Sequence, residues 1–128
     1  MSRPQGFTPA TRALIADRAS DYNGWPTCEV MAVCQGVPAE AAHHRRPRGA
    51  GGSKRPDTNK AANALAVCDA DHLYLESHRE EALKYGWLVL QCDTPATIPV
   101  LRRGVFVLLD NDGGYVRWTA PGVQGETA

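Results

Sequence analysis

Apolar residues come in short blocks along this chain, and the spacing within each block predicts a different element. Residues 10–19 place Leu14 and Ile15 among Thr11, Arg12, Asp17 and Arg18, with Thr8 and Pro9 ahead of them as cap and first-turn residues, so a short helix is expected there. Residues 21–27 contain Asn23, Gly24 and Pro26, a turn signal, and the apolar stretch 28–33 suits either a strand or a knuckle. Residues 37–44 read as an extended segment that ends at two histidines, and a glycine-rich, basic loop follows to about residue 59. Residues 64–68 form a short apolar block that fits a returning, antiparallel strand. Asp69 or Asp71 can cap a helix that starts near His72 and runs to about Tyr85, with Gly86 in the left-handed position that closes it. Beyond it, 87–90 and 105–109 read as strands, and residues 111–114 as a turn into 115–118, giving a C-terminal hairpin.

Composition narrows the class. A chain of 128 residues fits one domain that buries roughly two thirds of its unfolded surface. Residues 1–11 lack the apolar run of a signal peptide, and no stretch approaches roughly 18 consecutive apolar residues, so no membrane association and a cytoplasmic location are expected. Four irregularly spaced cysteines, Cys28, Cys34, Cys68 and Cys92, then read as thiols or metal ligands and not as a disulfide framework. Net charge is zero, but residues 43–60 carry Arg45, Arg46, Arg48, Lys54, Arg55 and Lys60 against Asp57 alone. Such a block beside two histidines suits a polyanion.

The chemistry-bearing residues are the adjacent pair His43 and His44, then Asn63 and His72. The run His43-His44-Arg45-Arg46-Pro47-Arg48-Gly49, the run Asp57-Thr58-Asn59-Lys60-Ala61-Ala62-Asn63, and His72 with Glu76-Ser77 behind it resemble the HNH endonuclease family, in particular its small stand-alone bacteriophage members. The likeness extends from about Cys28 to about Trp118. It implies an α+β fold: a single nuclease domain over 1–128, with a ββα-metal unit over about 37–85, an N-terminal helix, a C-terminal β-hairpin with strands over about 87–118, and a frayed tail at 120–128.

The resemblance also implies roles. Successive residues of an extended segment point to opposite sides, which assigns His43 to a divalent metal and His44 to the water as general base. His72 returns to the same metal from the helix, and Glu76, four residues on, shares its face and either joins the metal or pairs with Arg79. Imidazole ligands favour Mn²⁺, Ni²⁺, Co²⁺ or Zn²⁺, with Mg²⁺ also serviceable. Asn63 ties the loop and positions the base, while Asn59, at a different spacing from His72, is set aside. Arg45, Arg46, Arg48, Lys54 and Arg55, with the amides of Gly49, Gly51 and Gly52, are expected to hold DNA phosphates. Arg45 and Arg46 are further expected to keep His44 neutral by repulsion. His78 reads as an ordinary surface residue.

Many HNH proteins carry two Cys-x-x-Cys pairs around a structural zinc. Here Met31 and Asp71 stand where the second thiols of those pairs would be, so the tetrathiolate is absent and a structural zinc is not expected; the thiols are read as buried and free, the alternative being an improvised site of Cys28, Cys34 and Cys68 with an oxygen or histidine ligand. The expected function is metal-dependent hydrolysis of DNA, with the resemblance suggesting a phage protein in the host cytoplasm, working with the packaging machinery. The alternatives are a binding module that has lost the chemistry and a nuclease for RNA or branched substrates.

Overall fold

Thr8 and Pro9 start the first helix as their chemistry dictates. The Thr8 hydroxyl accepts from the Thr11 amide at 3.1 Å, and Pro9 occupies the first turn, where a missing N–H costs nothing. The computed structural model describes residues 6–48 and 55–121. Its elements are α1 (Pro9–Ala19), an antiparallel pair β1 (Ala41–His44) and β2 (Ala64–Val67), α2 (Asp69–Ser77), α3 (Arg79–Lys84), and a C-terminal antiparallel sheet of β3 (Val100–Arg102), β4 (Val105–Leu109) and β5 (Tyr115–Arg117). Two small sheets beside three helices make this an α+β fold. No helix among the described residues is long and apolar enough to cross a membrane.

Strand β2 sits between two apolar clusters. Its side chains alternate between faces, so Leu65 and Val67 join Val30, Leu75, Trp87, Val100 and Leu109 on one side. Ala64 and Ala66 meet Phe7, Ile15 and Ala19 on the other. The small residues on that second face let α1 approach closely, and all four positions of β2 are buried.

Several elements depart from the sequence reading, each for a local reason. The helix expected from His72 to Tyr85 starts at Asp69 and breaks at His78, whose backbone (φ −126°, ψ 61°) is not helical. Neither aspartate caps it. The cap is Cys68, whose sulfur accepts from the Asp71 amide at 3.4 Å, while the Asp71 carboxylate turns inward. Residues 87–90 form no strand, because their backbone groups are already committed: Leu88 N donates to Ala82 O, Val89 N to Arg45 O, and Trp87 O accepts from His43. The expected C-terminal hairpin is β4–β5, joined by the turn at 111–114, and a third strand, β3, pairs with β4. Gly86 takes the left-handed backbone (φ 76°), and a Cβ there would lie 2.0 Å from Pro99 O, so only glycine fits.

Charged groups brace the interior where the apolar side chains are small. Glu29, fully buried, accepts from Arg18 Nε and Nη2 at 2.8 Å each, from Arg102 Nε at 2.7 Å and from the Ala66 amide at 2.9 Å. Arg18 also donates to Ala61 O and Ala64 O, and Arg102 to Arg18 O. One carboxylate thereby ties α1, β2 and β3 together. Burial alone would raise the Glu29 pKa, but the two guanidiniums and the Ala66 amide hold it below the usual carboxylate range. Glu29→Gln keeps the shape and strands two buried cations. A stability loss of about 3–5 kcal/mol is expected by urea unfolding at pH 7, and a loss under about 1 kcal/mol would show that Arg18 and Arg102 find water instead.

Candidate functional site

Strand register decides what the two adjacent histidines face. His43 lies opposite Leu65 and His44 opposite Ala64, so His43 shares the face that packs on α2 and His44 the face that packs on Phe7 and α1. The His43 ring stands edge-on to His72, with centroids 5.2 Å apart. His72 lies in the first turns of α2, and Glu76 follows one turn later, its Oε2 3.5 Å from His72 Nε2. One ligand atom from each of His43, His72 and Glu76 lies within 4.8 Å of the others, close enough for one ion.

The protonation of His43 suits a ligand. Its Nε2 lies 2.9 Å from the Trp87 carbonyl oxygen. A carbonyl only accepts, so Nε2 carries the proton and Nδ1 keeps its lone pair for a cation. Burial pulls the His43 pKa down to about 4, against the carbonyl's pull the other way and with help from the neighbouring His72, His44 and Arg45. The ring is therefore neutral at pH 7, as metal ligation requires. Two imidazoles and a carboxylate fit a borderline divalent cation, with room for water in the remaining positions.

His44 is held from two sides. Phe7 stacks on its ring at 4.1 Å with planes 12° apart, and Nε2 lies 2.7 Å from Asn59 Oδ1. The Asn59 oxygen accepts, which leaves Nδ1 as the basic atom. Burial lowers the His44 pKa; Asn59 opposes that shift, and Arg48 adds to it. The cation that acts on His44 is therefore Arg48, not Arg45 or Arg46 as expected from the sequence. His43, His44, His72 and Glu76 line one cleft of about 250 Å³ together with Arg48 and Arg79. His44 and Arg48 also border a groove of about 540 Å³ on the α1 side, where Phe7, Ile15 and Arg12 contribute.

Asn63 bonds other groups than His44. Fully buried, it accepts from the Arg46 amide at 2.7 Å and donates to Arg46 O and Thr58 O at 3.0 and 2.8 Å. It ties the two ends of the loop, as expected, but the amide that touches His44 is Asn59, which spacing alone had set aside. Spacing carries no orientation: the 3-10 turn at Ala61–Asn63 rotates Asn63 inward and leaves Asn59 facing the strand end. Of the two readings of Glu76, metal or Arg79, the structure sets its carboxylate beside His72, and Arg79 lines the same cleft.

The phosphate-binding expectation needs correction at two arginines. Arg45 is 0% exposed and spends its guanidinium on Gly86 O, Ala62 O, Pro95 O and Ile98 O at 2.8–3.0 Å. Arg46 is buried against Asp57 and Asp93 O. Neither guanidinium faces outward, because a buried carbonyl left without a donor costs more than a solvated arginine gains. Arg48 reaches the cleft, and Arg55 is exposed and donates to Gln91 O. Lys54, Gly49, Gly51 and Gly52 lie outside the described residues.

A second group of ligand atoms lies apart from the histidines. Cys28, Cys34, Cys68 and Asp71 also place one atom each within 4.8 Å of one another. Burial pushes the Cys28 and Cys34 thiols up. The same burial acts on Asp71, but hydrogen bonds from Cys28, Cys34 and the amides of Val33 and Ala32 outweigh it and hold the carboxyl below its usual value.

Comparison of the chain with protein-family models, with curated proteins and with solved structures returned no match.

The depressed His43 value has a consequence for acid stability. In the unfolded chain this ring titrates near 6.5, in the metal-free fold near 4, so between those values acid protonates the unfolded chain first. The stabilising contribution is complete above about pH 6.5 and is lost as pH falls towards 4, by about 2 kcal/mol between pH 7 and pH 5 for this group alone. Urea unfolding of metal-free protein at pH 7 and 5, with NMR titration of the His43 ring, checks it; a ring that titrates near 6.5 in the folded protein would refute it.

Proposed function

We propose that the chain is a metal-dependent endonuclease of the HNH type that hydrolyses phosphodiester bonds in DNA. The observation that carries this reading is the meeting of His43, His72 and Glu76 around one point, with the half-buried His44 on the rim of the same cleft. The antiparallel β1–β2 pair followed by α2 is the ββα order that such a site uses.

His43 Nδ1, His72 Nε2 and a Glu76 oxygen would hold the divalent cation. Mn²⁺, Co²⁺, Ni²⁺ or Zn²⁺ suits this donor set better than Mg²⁺. When bound, the ion supplies positive charge for the phosphate and for the departing 3′ oxygen. The protein's own groups do the rest. Arg48 and Arg79, on the cleft wall, bind non-bridging phosphate oxygens and set the scissile bond against His44. His44 Nδ1 takes a proton from the attacking water as its oxygen bonds to phosphorus, and the P–O3′ bond breaks, leaving a 5′-phosphate and a 3′ oxygen that takes its proton from solvent to become the hydroxyl. Asn59 and Phe7 fix the His44 ring so that Nδ1 stays the accepting atom.

Supercoiled plasmid incubated with the protein and Mn²⁺ should be nicked or linearised, and chelator should stop it. His44→Ala should keep DNA binding and lose roughly 10²- to 10⁴-fold in cleavage, the usual worth of a general base. Plasmid that stays intact under every divalent metal would end this reading in favour of a binding module.

Asn59 separates positioning from structure. Asn59→Ala should cut cleavage by roughly 10- to 100-fold with folding intact. Its acid limb should also move to lower pH, since the Asn59 contact raises the His44 pKa. Asn63→Ala should instead lower the unfolding midpoint. A normal rate and an unshifted limb for Asn59→Ala would remove it from the site.

A further inference from the structure

Three of the four thiols meet at one point, although the sequence spaces them irregularly. Cys28 and Cys34 come from the irregular segment between α1 and β1, Cys68 caps α2, and Asp71 sits in the first turn of that helix. Met31, a non-glycine residue with a left-handed backbone (φ 56°), bends the segment so that both its cysteines face Asp71. The Cys28 and Cys34 sulfurs lie 2.9 and 3.2 Å from the same carboxylate oxygen, Asp71 Oδ2, and Cys68 Sγ lies 3.4 Å from the Asp71 amide. The amides of Ala32 and Val33 close the other side, donating to Oδ2 and Oδ1 at 3.1 and 2.9 Å.

We propose that Cys28, Cys34, Cys68 and Asp71 form a closed, tetrahedral site for a thiophilic divalent cation, zinc above all, and that this ion has a structural role separate from the histidine cleft. The spacing fits. Tetrahedral zinc with bonds of about 2.3 Å to sulfur places its ligands roughly 3.7 Å apart; the four ligand atoms here lie within 4.8 Å, with two sulfurs already at about 3 Å from the carboxylate. The donor set fits too. Three thiolates select zinc over magnesium or calcium, and a fourth ligand that is neither water nor exposed leaves no open position for chemistry. Three thiolates and a carboxylate around Zn²⁺ leave two negative charges. The donating amides of Ala32, Val33 and Asp71 and the N-terminus of α2 face that excess. Loading replaces the thiol protons by the ion and releases them to solvent, with no oxidation.

Neighbouring residues give the site its consequence. Asp71 belongs to the thiol group and His72 to the histidine group, on successive positions of α2. An ion on Asp71 pins the turn that presents the His72 ring. The thiol site itself stands whether or not the chain is a nuclease.

Metal analysis of full-length protein purified under reducing conditions tests it. After a weak chelator, one equivalent of zinc should remain in the wild type and in the His43→Ala, His72→Ala double variant. It should be lost in Cys34→Ser, chosen because Cys34 is only partly buried, and zinc should raise the wild-type melting temperature. Cobalt in place of zinc should give thiolate-to-cobalt charge-transfer absorption in the wild type, a reading that stands even if a cysteine variant fails to fold. Cobalt bound without that absorption, zinc that leaves with the histidines, or a Cys28–Cys34 disulfide in metal-free protein after reducing purification would each overturn the assignment.

Discussion

The candidate cleft depends on Arg45. Its guanidinium is buried without a carboxylate and donates to four main-chain carbonyls, those of Ala62, Gly86, Pro95 and Ile98. Each bond fixes a segment that matters next door. Ala62 precedes Asn63, which clamps the loop ends; Gly86 precedes Trp87, whose carbonyl sets the tautomer of His43. Arg45 itself follows His44 on the chain and receives Val89 N on its own carbonyl. Burial and the nearby Arg18 pull its pKa down to about 9, offset in part by Glu29, so it remains charged at neutral pH. The positive charge that seemed destined for DNA is spent instead on holding the walls around the histidines.

Arg45 is one case of a wider economy of this fold. Strand β2 and the turn before it offer mostly alanines, which bring backbones close but fill little volume. Close backbones crowd buried carbonyls that have accepting capacity left, and long guanidiniums reach them. Arg18 takes Ala61 O and Ala64 O, Arg102 takes Arg18 O, and Arg103 takes Cys28 O, Ala19 O and Thr27 O. A buried ion pair is seldom more stable than a packed apolar substitute, so the return lies in geometry: planar forks fix direction in a way that a leucine cannot. Glu29 balances Arg18 and Arg102, and the interior keeps a defined set of contacts in place of a large greasy core.

Caps, apolar blocks and turn residues made α1, the β1–β2 pair and the presence of a helix at His72 legible in the sequence, though not the Cys68 cap of α2 or its break at His78. Thr8 and Pro9 announce α1, the short apolar block from Ala64 announces β2, and Gly86 marks a left-handed backbone. What the linear order could not carry was the destination of the polar side chains. Arginines in a basic run look alike whether they end on solvent or on carbonyls, and Arg45 and Arg48 separate only once Gly86 and Pro95 are folded against the first. Spacing from His72 favours Asn63 over Asn59, but a single turn rotates Asn63 inward and leaves Asn59 beside His44. The three thiols were legible as a possible group with an oxygen or histidine ligand, but not the identity of that fourth ligand: Asp71 stands where a pair would have a thiol, and Met31's left-handed backbone is what brings Cys28 and Cys34 to it.

Two dipeptides show how adjacency serves this arrangement. On β1, neighbouring side chains diverge by about half a turn, so His43 and His44 can hold unlike protonation environments: one deep against Trp87 O, one between Phe7 and Asn59. On α2, neighbouring side chains diverge by about 100°, so Asp71 turns into the thiol group while His72 turns to the cleft. A shift of one residue in the β1–β2 register would exchange the faces of His43 and His44 and separate His43 from His72 at once. A shift in the start of α2 would move Asp71 and His72 together. The Cys68 cap, which bonds the Asp71 amide, fixes that start, and the Arg45 N–Asn63 O bond fixes the register at the other end. Both groups of ligand atoms therefore depend on where α2 starts, and the histidine group depends on the β1–β2 register as well.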